Sequence, residues 1–182
     1  MSYADVVVEI HVDSEAAEPE SAAVKQTHEG LVGRKASVSI VATLWTRSPT
    51  FTAPPTATIG VWGWVVHDDK RRPTVPRGGS RIEVGHNYLL AWTSSGIHSG
   101  WSSIGPGAEI PFDGGIAGQG ERLGADTHNV LAGTSAAFRQ VNGLTLAQVT
   151  AVVNAAKPDP LAVKYRSLPA VQRFQKVQSE RH

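Results

Sequence analysis

The chain of 182 residues contains no cysteine. That excludes disulfides, cysteine-ligated zinc or iron–sulfur centres, and a cysteine nucleophile. It says little about compartment, because an exported protein need not carry disulfides. Charged residues are scarce at 18%, against about 25% in average domains. The formal net charge is +1, so no global field favours nucleic acid. No run approaches the ~20 apolar residues of a membrane-spanning helix. The opening Met1-Ser2-Tyr3-Ala4-Asp5 has no basic segment and no long apolar one, so it does not read as a signal peptide. Two origins fit: a cytoplasmic protein, or a mature exported domain with an added Met.

Glycine at 18, proline at 11 and 41% hydrophobic residues describe a folded, loop-rich chain rather than a disordered one. A chain near this size buries about 70% of its unfolded surface, enough for a core without staples. Charge is unevenly placed. Residues 1–30 carry seven acids against Lys25, and residues 157–182 carry six cations against Asp159 and Glu180.

The first two-thirds reads as β. Val6, Val8 and Ile10 alternate within Asp5–Val12. Val38, Ile40, Ala42 and Leu44 alternate within Ala36–Thr46, the period of a half-buried strand. Ala57–His67 is a third strand, with Gly60 and Gly63 marking bulges or a close backbone approach. His86–Thr93 is a fourth, and Gly100–Ile104 a short fifth that forms a hairpin with it. Between them, Ser14–Gly30, Asp68–Ile82 and the Gly-rich Gly105–Gly120 read as loops, the first with room for a short helix. The last third reads as α. Leu144–Ala156 starts at a Thr145/Gln148 capping box and stops at Lys157-Pro158-Asp159-Pro160. Gly133–Val141 starts a short helix. Ala170–Glu180 presents the stripe Val171, Phe174, Val177, which suits packing on the strands or docking on a partner. The expected fold is α+β: a small OB-like β-barrel of about five strands over residues 1–125, followed by C-terminal helices over 126–182 packing on it.

Three segments carry a family likeness. They are Asp5-Val6-Val7-Val8-Glu9-Ile10-His11-Val12, the alternating strand after Gly33 up to Thr46, and Val84-Gly85-His86-Asn87-Tyr88-Leu89-Leu90 followed by Trp101. Over residues 3–112 this pattern resembles netrin-like or tissue-inhibitor-like OB barrels of bacterial, often actinobacterial, proteins. The resemblance implies the barrel and an exported setting. It implies no catalytic residue, and without cysteine the metal-chelating inhibitor mechanism is removed.

Five tryptophans stand at Trp45, Trp62, Trp64, Trp92 and Trp101. Strand alternation places Trp62 and Trp64 on one face. With Trp45 on the same sheet face they would form a platform for sugar rings, peptides or bases. They serve equally as core beneath the C-terminal helices. The run Lys70-Arg71-Arg72, with Arg77 and Arg81, is either a grip for phosphate or an acidic partner, or a solvated loop. Candidate ligand-binding residues are therefore Trp45, Trp62, Trp64, Arg71, Arg72 and Arg77. No helical His pair, Gly-x-Ser-x-Gly elbow, Walker loop or dinucleotide fingerprint is present. No catalytic residue, metal or cofactor is assigned. The reading is a non-enzymatic binding or protein-interaction module with an unidentified protein or small-molecule partner, and nucleic acid is not expected. Two alternatives stand beside it. One is a structural or assembly subunit of a larger particle. The other is an enzyme whose motif-free site gathers His67, Asp68, Asp69, His86 and His98, or His86 and His98 with Glu109.

Overall fold

β-Branched residues dominate the first half of the chain, and their preference for a pleated, half-buried surface builds a seven-stranded sheet. The structure, a computed structural model, describes residues 2–75, 79–95, 100–120 and 135–181. The strands are β1 (Val6–Ala17), β2 (Glu29–Thr46), β3 (Thr56–His67), β4 (Lys70–Pro73), β5 (Asn87–Ser95), β6 (Gly100–Ser103) and β7 (Glu109–Pro111). Their order is β1-β2-β3-β6-β5-β7, with β4 beside β3. β1 also pairs with β5, from Val6 opposite Trp92 to His11 opposite Asn87. The sheet thus curls back on itself. It does not close into a clear barrel, because β3 and β6 meet at a single parallel pair, Ile59 and Trp101, among the described residues.

Alternation decides what each face buries. Val6, Val8, Ile10 and Val12 join Ala36, Val38, Ile59, Leu90 and Trp92 on the inner face. Trp101 packs partly buried against this core, stacking on Trp92 at 5.8 Å between ring centroids. The opposite faces of β1, β5 and β7 bury Val7, Leu89 and Ile110. Their partners are Phe138 and Val141 of α2 (Ala136–Val141) and Val149 of α3 (Leu146–Ala155). Burying each such side chain stabilises by about 1.5–3 kcal/mol, so the helices are held by a second core on the sheet's outer face. α3 begins at the expected capping box, where the Thr145 N–H donates to Gln148 Oε1 at 2.9 Å. A mixed α+β fold with helices at the C-terminal end is what the residue pattern predicts.

Several elements differ from that prediction. The polar stretch Ser14–Ala17 extends β1 and pairs with Arg34–Ser37; the rest of that stretch holds the short α1 (Ala22–Thr27) and the start of β2. Lys70–Pro73, expected in a loop, folds back on β3 through the Asp68-Asp69 turn. Its charges and proline suit an edge strand that must not recruit another chain. Glu109–Pro111 adds β7 inside the Gly-rich segment. In α5 (Ala170–Arg181) the buried residues are Ala170, Arg173 and Val177. Val171 and Phe174 of the expected stripe are exposed, and Phe174 meets Tyr3 edge-on at 5.4 Å. α4 (Pro160–Lys164) links α3 to α5.

The end of the sheet near Gly33 is organised by a charge. Arg34 is 0% exposed. Its Nε donates to Trp62 O at 2.7 Å, and its NH2 donates to Arg81 O at 2.5 Å and Ile82 O at 2.9 Å. NH1 reaches the Glu15 carboxylate and, at 3.2 Å, Glu83 Oε2. Arg81 is also buried; it donates to Gly63 O at 2.5 Å and pairs with Glu83. One guanidinium therefore ties β1, β2, β3 and the segment after β4. The Ile82 backbone sits at φ 62°, a strained conformation for a β-branched residue, and the Arg34 contacts to two successive carbonyls hold it there.

Removing one member of a buried ionic network is strongly destabilising. Because Glu15 and Glu83 keep about a third of their side-chain surface, the expected cost of Arg34→Met is about 3 kcal/mol, the low end of that range. Urea unfolding checks it, with exposed Arg72→Met as a control expected to stay within about 0.5 kcal/mol of wild type.

Candidate functional site

The register of β2 against β3 slips beside Gly33. Val32 lies opposite Trp64, but Arg34 lies opposite Val61. Trp62 and Gly63 together therefore face a single residue, which is a β-bulge on β3. Gly63 is required there: a Cβ would fall 2.1 Å from the Val32 carbonyl oxygen. Gly60, by contrast, faces open space.

The bulge corrects the expectation that Trp62 and Trp64 share a face, because an extra residue reverses the alternation. Trp64 turns to the side of Val32 and Arg34. It packs on the small core of Val24, Val32 and Val66. Three guanidinium groups surround its ring, Arg81 at 5.2 Å, Arg71 at 5.8 Å and Arg34 at 5.9 Å from the centroid. Trp62 turns outward and is 40% exposed, beside Leu31 at 59% and Val65 at 38%. Leu31 and Val65 are direct cross-strand partners. Beneath Trp62 a shallow cleft of about 350 Å³ is floored by Gly33, Gly60 and Gly63, with Glu18 and Thr74 on its rim.

The other candidates disperse. Arg71 pairs with Glu20 at 2.6 Å. Arg72, opposite Val65, is exposed and has no charged partner among the described residues. Arg77 and His98 lie outside the described residues. Trp45 lies opposite Val7, roughly 40 Å along β2 from the bulge at ~3.3 Å per residue. It packs partly buried against the sheet–helix core. Leu31, Val65 and the buried Arg34–Arg81 pair are absent from the sequence-derived set. Gly63 between two tryptophans was the one legible sign of the bulge.

The described histidines separate into two places. His67 sits at the β3–β4 turn with Glu29 at 3.1 Å and Asp68 at 3.6 Å, all largely exposed. Next to it, His28 Nδ1 lies 2.7 Å from Asp69, whose hydrogen bond raises the imidazole pKa above its usual 6.5. His86 pairs instead with Asp113 at 2.5 Å. Asn87 links that pair to Glu9 at 3.1 Å and His11 at 2.7 Å. Among the described residues no three histidine or acid side chains form a metal-binding group.

Glu109 faces neither histidine pair. It is buried, its Oε2 has no hydrogen-bond partner among the described residues, and burial pushes its carboxyl from 4.5 up to about 8, with the Ser103 hydroxyl opposing. A carboxyl in such a site is kept neutral at pH 7.

Comparison with known protein families, characterised proteins and solved structures gives no match. The class is set by the fold itself: a mixed α+β protein with a curled sheet and C-terminal helices. No described helix is long and apolar enough to cross a membrane.

Glu109 gives a signed pH dependence. Between its ordinary 4.5 and about 8, the folded chain holds a proton that the unfolded chain releases. Stability contributed by that proton is complete at low pH and lost as pH rises through the window. Urea unfolding of wild type should weaken by on the order of a few kcal/mol between about pH 5 and about pH 8.5. Glu109→Gln should remove most of that slope; equal slopes in both proteins would contradict the assignment.

Proposed function

We propose that this chain is a non-enzymatic protein-interaction module built on an OB-like barrel, and that it contacts its partner through the Trp62 face of β2 and β3. The barrel reading is supported by β1 being shared between β2 and β5, which curls the sheet back on itself. A five-stranded, partly open barrel has this trait.

The single observation that carries the interaction reading is the exposed group Leu31, Trp62 and Val65 on one outward face. Scattered exposed apolar residues need no explanation, but a contiguous set does. Glu18 lines the cleft beside Trp62 and pairs with Lys35, and Arg72 lies opposite Val65, so charges of both signs border the apolar group. An indole in such a group is the usual anatomy of an interface hot spot. The mixed rim does not suit a polyanion, which selects runs of unpaired cations. Arg71 and Lys35 are both engaged, with Glu20 and Glu18 respectively.

A photo-crosslinking amino acid at Val65, in cells of the native host, tests this. A discrete adduct is expected from position 65 and not from a matched probe at Val41, which is exposed elsewhere on β2. Trp62→Ala should weaken capture about 30-fold, or ~2 kcal/mol, while leaving the melting temperature unchanged. An adduct with a second copy of this chain selects the assembly-subunit form of the reading. No adduct, or one insensitive to Trp62→Ala, overturns it.

A further inference from the structure

Arg173 of α5 is 2% exposed, yet its Nε and NH2 have no hydrogen-bond partner among the described residues. The nearest acid, Asp5, is 3.6 Å from NH2, beyond hydrogen-bond distance. Asp5 is engaged more closely by Arg47, whose NH2 lies 2.8 Å from the same carboxylate oxygen. Arg47 is committed elsewhere too: its NH1 donates to the carbonyls of Arg166 at 3.0 Å and Leu168 at 3.3 Å. Burial, and then the neighbouring Arg47 charge, press the Arg173 pKa down, with Asp5 opposing. Buried guanidinium N–H groups without acceptors are rare in folded proteins and call for an explanation.

These groups line a cleft of about 340 Å³ between the end of β2 and the α4–α5 helices. Arg47, Arg166 and Arg173 supply charge; Trp45, Pro158 and Val163 supply apolar wall. Among the described residues the lining holds three arginines and no carboxylate. Beyond Ser2 and Ala156, which line both spaces, lies a second cavity of about 220 Å³ between the sheet and α3, walled mainly by apolar side chains such as Leu89 and Val152.

We propose that this cleft binds a small organic oxyanion, its acid group on Arg173 and Arg166 and its apolar body against Trp45 and Val163. Arginine presents a planar fork of donors that matches carboxylate and phosphate oxygens. The indole adds a flat apolar contact, and the adjoining cavity gives a longer hydrocarbon chain somewhere to go. This site is separate from the Trp62 face, so either can fail without the other.

Calorimetric titration of the full chain tests it, with octanoate and octyl phosphate as probes and octanol and inorganic phosphate as controls. At least one of the two acids should bind, about tenfold or more tighter than either control; the tighter acid identifies the head group. Arg173→Met should weaken that acid at least about tenfold, and exposed Arg166→Gln several-fold. Arg166→Gln keeps the test decisive if Arg173→Met fails to fold. The proposal is overturned if neither acid binds, if octanol binds as tightly as the acids, or if Arg166→Gln leaves acid binding unchanged.

Discussion

Burying a guanidinium is costly unless its N–H groups are met, because desolvation otherwise outweighs the pairing. Arg34 satisfies that condition by drawing acceptors from three parts of the chain: Glu15 of β1, Trp62 of β3, and Arg81, Ile82 and Glu83 of the segment before β5. Each acceptor is fixed in place as a result. The Ile82 backbone at φ 62° is held in a conformation it would not choose alone. The Trp62 carbonyl is drawn inward, and its indole is turned out. The charge therefore sets the geometry of the surface as well as the stability of that end of the sheet.

The two faces of the sheet have different tasks. The outer faces of β1, β5 and β7 are covered by α2 and α3. The outer face of β2 and β3 around the bulge is left open, with Leu31, Trp62 and Val65 on it. β4 protects the adjacent edge through Lys70, Arg71, Arg72 and Pro73. Open face and blunted edge together are consistent with the proposed docking on the sheet and disfavour addition of a strand to it.

Much of the fold was legible, and the gaps have identifiable causes. Alternation in Ala36–Thr46 marked β2, and Thr145 with Gln148 marked the start of α3, because both signals are local. The continuation of β1 through Ser14–Ala17 was not legible, since a polar strand paired with another strand looks like a loop. Nothing local in the sequence marks Arg34 or Arg173 as buried; only tertiary structure brings carbonyls and acids, or in the second case too few of them, around a charge. The Trp62–Trp64 pairing failed for a related reason. Period-2 reading holds until one residue is inserted, and a single glycine between two tryptophans does not say whether it bulges. Trp45, in turn, was legible as an aromatic of β2 but not as a wall of a cleft, because α4 and α5 come from the far end of the chain.

The most direct test of the arginine-held bulge is the solvent exposure of the two indoles it separates. 5-Fluorotryptophan can replace all five tryptophans, with resonances assigned by single Trp→Phe variants and exposure read from the fluorine shift between H₂O and D₂O. Trp62 should show a large solvent shift, with Trp64 well below it and buried Trp92 showing almost none. Equal shifts for Trp62 and Trp64 would mean that the alternation is unbroken, and would contradict the account.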